Sequence, residues 1–265
     1  VHPPAFEILQ DLAMNLGAQD LRFSRPGFEL RVPSFAAAAG EITAIVGPNG
    51  AGKTTLLKCL SGLWRPSGGR IFLDGEDAAA LSDSARARRL AFVPQEQAAT
   101  FNFTVLEFVL MGRAAALSLF ASPSTADRTI AEESLAYVGF RHPSSRPLFR
   151  LSSGERRLVL IARALAQKAE ILILDEPTTF LDPRRETEVM RLLGRLASSE
   201  GKTIVVTLHD LDAAVHYAGW MVFLKDGRVV ADGRTEEILS ADLLGRVYDI
   251  PMDIIEHAGR RFIVK

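Results

Sequence analysis

Cysteine is nearly absent: Cys59 is the one example in 265 residues, so no disulfide can form within the chain, which fits a reducing compartment. A basic excess is also missing. Thirty-one Lys and Arg stand against 32 Asp and Glu, a formal net charge of −1, and no nucleic-acid partner is expected from that balance. No apolar run approaches the roughly 18–20 residues of a membrane helix. The best stretch, "VLEFVLMGRAAALSLFA" from Val105, is broken by Glu107 and Arg113. The segment "VHPPAFEILQD" lacks a basic stretch followed by an apolar one, so no signal peptide is expected. Repeats and low-complexity tracts are missing too. These absences predict a soluble chain on the cytoplasmic side, reaching any membrane only through a partner.

What is present is apolar material, 48% of the residues, enough for a large core in one domain or a domain with a subdomain. Short apolar runs read as strands: "EITAIVG" from Glu41, "RIFLDG" from Arg70, "LAFVPQ" from Leu90, "ILILDEP" from Ile171 and "TIVVTLHD" from Thr203. Helical patterns such as "TTLLKCLSGL" and "RRLVLIARALAQ" lie between them. Such alternation predicts an α/β fold with a parallel sheet covered on both faces. The runs "ILIL" and "TIVVTL" lack polar alternation, as strands buried on both faces do. "WMVFLKDGRVVADG" predicts a hairpin turning at Asp226-Gly227. Residues 98–167 read as an inserted helical subdomain between core segments 1–97 and 168–235, with 236–265 as a C-terminal tail.

One corner of the sequence is chemically specific. Gly47-Pro48-Asn49-Gly50-Ala51-Gly52-Lys53-Thr54 matches G-x-x-x-x-G-K-[ST], the phosphate-binding P-loop. Glycines let successive backbone N–H groups turn toward one anion, and the following helix adds its N-terminal donors. Lys53 would reach the β- and γ-phosphates, and Thr54 would place its hydroxyl on Mg²⁺. A plain glycine turn is the bland alternative, but a strand precedes the motif and a helix follows it. Gly201-Lys202-Thr203 also reads "GKT", yet it lacks the first glycine and a strand follows.

Asp175 and Glu176 stand where the apolar strand "ILIL" runs out. Ligands of open parallel sheets sit beyond the carboxyl ends of the strands, and burying two unpartnered charges is costly. Asp175 would therefore hold Mg²⁺, directly or through water, and Glu176 would polarise the water attacking the γ-phosphate. His209, ending "TIVVTLHD", and Gln95, after "LAFVP", are weak signals alone. In "RLSSGERRLVLIARALAQ" from Arg150, Leu158, Ile161, Ala162 and Leu165 form an amphipathic stripe, and Ser152-x-x-Glu155 is a capping box. The bland reading is a well-capped surface helix.

Taken in order, these pieces resemble the ATP-binding subunit of an ABC transporter along nearly the whole chain. They are the P-loop Gly47–Thr55, the Q-loop Gln95, the signature Leu151–Glu155, Walker B at Ile171–Glu176, the D-loop Thr178–Asp182 and the switch His209. The resemblance implies a RecA-like P-loop NTPase core with a mainly parallel sheet, an N-terminal antiparallel β part and an inserted α-helical subdomain. It implies ATP and Mg²⁺ as ligands, with Gln95 joining Thr54 and Asp175 on the metal, and Thr55 among the nucleotide contacts. It further implies a head-to-tail homodimer in which Ser152, Ser153, Gly154, Glu155 and Asp182 approach the nucleotide held by the other chain. His209 would contact the γ-phosphate.

Three departures stand out. Ser153 replaces the usual first glycine of the signature, Arg157 and Leu158 replace a usual Gln-Arg pair, and Arg25 lies where an adenine-stacking aromatic is common. Arg25 can itself stack on a base, with Phe23 and Phe28 as alternatives. The segments "FNFTVLEFVLMGR" and "LHDLDAAVHYAGWMVFLKDGRVVADG" resemble an importer branch. Its partners are an integral membrane permease and, through it, an extracytoplasmic binding protein. The expected cargo is a metal chelate (iron–siderophore or haem), then molybdate or tungstate, then cobalamin. Alternatives are a soluble ABC ATPase of DNA repair or translation, and a weakly hydrolysing regulatory subunit.

Overall fold

The protein is described here by a computed structural model covering residues 14–95, 102–118 and 121–265. The segment "VHPPAFEILQD" lies outside the described residues. Five strands form the centre of the fold: β3 (Ile42–Val46), β6 (Leu90–Val93), β7 (Ile171–Leu174), β8 (Thr203–Thr207) and β9 (Trp220–Lys225). They lie side by side in the order β9-β3-β8-β7-β6, and all their pairings are parallel. Every residue of β3, β7 and β8 is buried.

Burial on two faces explains the unbroken apolar runs. Ile42, Ala44 and Val46 point into one apolar cluster with helices α5 (Ser153–Ala166) and α6 (Pro183–Ser198). Ile45 points into a second cluster with α1 (Lys53–Leu60) and the strands β1 (Met14–Arg25) and β2 (Phe28–Ala38). The parallel strands and the expected N-terminal antiparallel part join in one mixed sheet. Antiparallel β1, β2, β4 (Gly68–Leu73) and β5 (Glu76–Asp77) continue it past β10 (Arg228–Arg234), giving ten strands in all. β10 pairs antiparallel with β9 across Asp226 and Gly227, whose φ values of 48° and 72° suit the tight hairpin read from the sequence.

Around this sheet stand α2 (Asp83–Arg89), α3 (Val105–Leu110) and α4 (Thr125–Tyr137). α3 and α4 pack against α5 in one apolar cluster, and Thr104 forms an isolated bridge with Pro147. α5 is buried more widely than the stripe Leu158, Ile161, Ala162 and Leu165 predicts. Gly154, Arg157, Val159, Leu160, Ala164 and Ala166 are buried as well, while Leu158 and Leu165 lie at the margin. The reason is position: the helix is wedged between the sheet and α3/α4 rather than lying on a surface.

The segment 236–265, expected as a tail, is folded. After α7 (Leu211–Tyr217) and α8 (Thr235–Ile238), helix α9 (Ala241–Tyr248) buries Leu243, Leu244 and Val247 in the core. The chain then forms a two-stranded sheet of β11 (Asp253–His257) and β12 (Arg260–Val264).

Candidate nucleotide site

Because β3, β8, β7 and β6 are parallel neighbours, their carboxyl ends open on one edge, where crevice ligands bind in such sheets. Each strand delivers its functional side chain there: Lys53 and Thr54 after β3, Thr207 and His209 at β8, Asp175 and Glu176 after β7, and Gln95 after β6.

The loop after β3 needs glycine at two close approaches. A Cβ on Gly47 would stand 1.9 Å from the Leu224 carbonyl oxygen, and one on Gly52 would stand 2.7 Å from the Phe28 ring. Gly52 also has φ 103°, the left-handed region that glycine alone enters freely. The hairpin turn supports the loop from below, since the Gly227 N–H donates to the Ala51 carbonyl at 3.0 Å. Tyr248 of α9 reaches it too: burial raises the Tyr248 hydroxyl pKa, opposed by the Gly47 N–H that faces it.

Lys53 is 6% exposed. Its ammonium donates to the carbonyls of Gly47 at 2.7 Å and Pro48 at 3.0 Å. Burial holds its pKa below the usual lysine value, and the nearby Glu176 and Asp175 charges oppose that shift. The Thr54 hydroxyl donates to Asp175 Oδ1 at 3.1 Å, so two of the three expected Mg²⁺ ligands are neighbours, while the third, Gln95, turns its side-chain amide to Glu176. Among the described residues no cluster of three or more His, Cys, Asp or Glu could hold a metal. A hydroxyl and one carboxylate instead suit Mg²⁺, which takes one or two carboxylates plus phosphate oxygens.

Glu176 is 7% exposed and adopts φ 47°. Gln95 Nε2 and the Thr179 hydroxyl (3.0 Å) both donate to its Oε2. His209 Nε2 meets its Oε1. The structure therefore gathers Gln95, Glu176 and His209 into one cluster beside Asp175. A non-glycine residue at positive φ, its carboxylate held by three neighbouring side chains, is the kind of over-determined position found at reactive sites.

The signature and the end of the D-loop meet where α5 and α6 begin, with Ser152, Ser153 and Asp182 exposed and Gly154 buried, while Thr179 of the D-loop turns to Glu176. Ser152 caps α5, accepting from the Glu155 N–H, and the Glu155 carboxylate accepts the Ser152 N–H at 2.8 Å. That N–H holds the Glu155 carboxyl below the usual carboxylate range, with smaller help from the Ser152 hydroxyl and His142. Ser152 and Ser153 are exposed. Asp182 caps α6 by accepting from the Arg185 N–H at 3.0 Å. Gly154 lets the two helices meet, because a Cβ there would stand 2.7 Å from Arg185 Cδ. Among the described residues, no hydrogen bond or ion pair links Ser152, Ser153, Gly154, Glu155 or Asp182 to the loop Gly47–Thr55 of the same chain.

Of the three adenine-stacking candidates, Phe23 stacks on Trp64, with centroids 5.2 Å apart and planes 14° apart. Phe28 lies against Gly52, and the exposed Arg25 lies over the Phe28 ring at 5.3 Å. The contacts that Thr207, Thr179 and Arg157 make escaped the sequence reading, although Thr179 lies in the D-loop. Thr207 and Thr179 look like ordinary strand and turn residues, while Arg157 registers only as a departure from the usual signature.

A protein-family model described as ABC transporter matches residues 30–179. The iron(3+)-hydroxamate import ATP-binding protein FhuC of Bacillus subtilis is 38% identical over 82% of this chain and 80% of its own length. The hemin import ATP-binding protein HmuV of Nocardia farcinica is 42% identical over 84% of this chain and 76% of its own. The cobalamin import ATP-binding protein BtuD of Halobacterium salinarum is 40% identical over 79% of this chain, and the matched stretch spans about half of that relative's length (52%). Among solved structures, a chain of an inward-facing ABC transporter assigned to the metal-chelate type superposes with TM-score 0.83 at 32% identity, covering 94% of this chain and 96% of that one. The dimeric cassette MJ0796 bound to ADP and Pi gives TM-score 0.74 at 27% identity, covering 83% and 98%. The chain belongs to the ABC transporter family, and its fold is that of an ATP-binding cassette of that family.

Proposed function

We propose that the chain is the ATP-hydrolysing subunit of an importer for a metal chelate, an iron–siderophore complex or haem. The observation that carries the catalytic part is the cluster of Gln95, Glu176 and His209 at the carboxyl ends of parallel strands, beside Lys53, Thr54 and Asp175.

In this reading the loop Gly47–Thr55 binds the triphosphate through its N–H groups and Lys53. Thr54 and Asp175 would hold Mg²⁺, which would neutralise phosphate charge. Glu176 accepts a proton from the attacking water. Its carboxylate is aimed by Gln95, Thr179 and His209, so little reorganisation remains at the moment of reaction. Arg25 stacks on the adenine. Two copies pair head to tail, each presenting Ser152, Ser153, Gly154, Glu155 and Asp182 to the nucleotide of the other. Segments 1–97 and 168–235 act as the nucleotide core, and 98–167 docks a permease.

Substrate choice rests on the relatives. Their names speak of hydroxamate iron, hemin and cobalamin. Molybdate or tungstate finds no support among them. In this reading the chain works at the cytoplasmic face of the membrane, held there by its permease; among the described residues no helix is long and apolar enough to cross a membrane.

The test is affinity capture of the tagged protein from gently solubilised native membranes, with partners identified by mass spectrometry. A polytopic permease and an associated binding protein are expected, and ligand screening of that binding protein reads the cargo. Recovery of soluble partners or DNA alone would replace this reading with a soluble ABC ATPase.

A further inference from the structure

We propose that Arg157 is a positioning residue that couples the two nucleotide sites of the assembled pair. The inference rests on the function proposed above. Arg157 is a charged side chain 5% exposed inside the fold. A buried cation is tolerated only when its donors are satisfied. Its guanidinium donates through Nη1 to the Pro94 carbonyl at 2.9 Å and through Nη2 to the Gln95 carbonyl. Two consecutive carbonyls match the rigid fork of an arginine, which a lysine ammonium cannot reproduce.

What the fork joins is specific. Arg157 lies three and four residues after Gly154 and Ser153 on α5, so it sits one helical turn from the exposed signature end, on the same face. At its other end is Gln95, whose side chain donates to Glu176, and Glu176 meets His209. A continuous set of contacts therefore runs from Ser153 and Gly154, through one rigid turn and Arg157, to Gln95 and Glu176. In the paired arrangement its two ends face different nucleotides. The signature end meets the one held by the other chain, and Gln95 and Glu176 meet the chain's own. Seating the signature end against one nucleotide shifts α5, and Arg157 carries that shift to the group that aims Glu176 at the other.

The bland alternative is that Arg157 merely anchors α5 in the core. An anchor changes stability. A coupling residue changes the ATP dependence of turnover, because cooperativity is a coupling free energy between sites.

The experiment measures ATPase rate against ATP concentration for the full chain and for R157M, R157Q and R157K. It also follows Tm and the binding of a fluorescent ATP analogue to the lone chain. The wild type is expected to be sigmoidal, with a Hill coefficient approaching two, its limit for two sites. R157M is expected to be hyperbolic, with kcat lower by roughly 10- to 100-fold and analogue affinity unchanged. R157K should recover part of the rate, since one point donor still serves one carbonyl. If R157M fails to fold, the contrast between R157K and R157Q reads the same coupling.

A wild-type Hill coefficient in the R157M, R157Q and R157K variants, with only Tm lowered, overturns the inference and leaves the anchor. A hyperbolic wild type that still turns over ATP also overturns it, while the proposed function stands. A wild type that binds and hydrolyses no ATP overturns the proposed function, and this inference with it.

Discussion

The Thr207 hydroxyl fixes both acidic residues of the site at once: it donates to Asp175 Oδ1 at 2.8 Å and accepts the buried N–H of Glu176 at 2.8 Å. T207V keeps the shape and deletes the hydroxyl. It leaves the Glu176 N–H unpaired and removes one donor from Asp175. Leaving a buried donor unsatisfied costs about 1–3 kcal/mol, and urea unfolding should show that loss. The rate should suffer more than binding, with kcat down by about tenfold or more and nucleotide affinity little changed. T207S restores the hydroxyl and should restore most of the rate. If T207V turns over ATP like the wild type, the carboxylates do not depend on Thr207 for their aim.

Much of this site was legible because its parts are written in residue types with few other uses. Three glycines, a lysine and a threonine at fixed spacing, and two acids after a fully apolar strand, have few structural readings. Thr207 hid for the opposite reason, since threonine is ordinary in a strand and its partners lie 31 and 32 residues away. Arg157 hid because a charged residue within an amphipathic helix is normally read as solvent-facing, whereas α5 is enclosed. Pro33 in β2 has no N–H to give to a sheet ladder. The structure accommodates it opposite Asp20, where β1 takes φ 49° between the Gln19–Ser34 and Leu21–Val32 pairs. The extent of the sheet depends on one pairing between β2 and β10, Arg31 with Arg228, which no local pattern announces.

G52A should disable nucleotide binding through a local clash. The left-handed φ of 103° costs an alanine about 1–2 kcal/mol, and the added Cβ would stand 2.7 Å from the Phe28 ring. The loop must move, and N–H groups aimed at a phosphate lose that aim. Titration with a fluorescent ATP analogue should show affinity falling by tenfold or more, about 1.4 kcal/mol. F28A in the same chain should return part of it, because the two changes share one contact and should not be additive. If the double variant is no better than G52A, backbone strain alone is responsible.

Cys59 offers a reporter of α1. It is fully buried, and burial pushes its thiol up to about 11 from 9.0. The thiolate is the reactive form, so at pH 8 an aromatic disulfide reagent should modify the native protein slowly, at the rate of local opening. α1 begins at Lys53, so ATP bound at the loop should slow the reaction further, in proportion to 1 + [L]/Kd. The wild type should show this protection, and G52A should need at least about tenfold more ATP to reach it. Rapid modification indifferent to ATP would mean that α1 opens independently of the loop.

Acid should loosen α4 from α5 over a definite range. Asp127 caps α4 by holding the Ser124 N–H and hydroxyl, and it pairs with Arg113 Nε at 2.9 Å. Arg113 in turn donates to the Ala166 carbonyl at the end of α5 at 2.8 Å. The Ser124 hydroxyl, then Arg113, hold the Asp127 carboxyl at about 2, below the ordinary 3.8. A depressed carboxyl pKa stabilises the fold above the unfolded value, and that contribution is lost as pH falls through the folded one. The loss therefore runs from about pH 4 down to about pH 2. Hydrogen exchange of residues 125–137 in the wild type should be slow at pH 5 and, after correction for intrinsic rates, accelerate across that window. D127N cannot ionise, so its exchange should be faster already at pH 5 and change less on acidification. If D127N follows the wild-type profile, the acid sensitivity of α4 comes from another carboxylate.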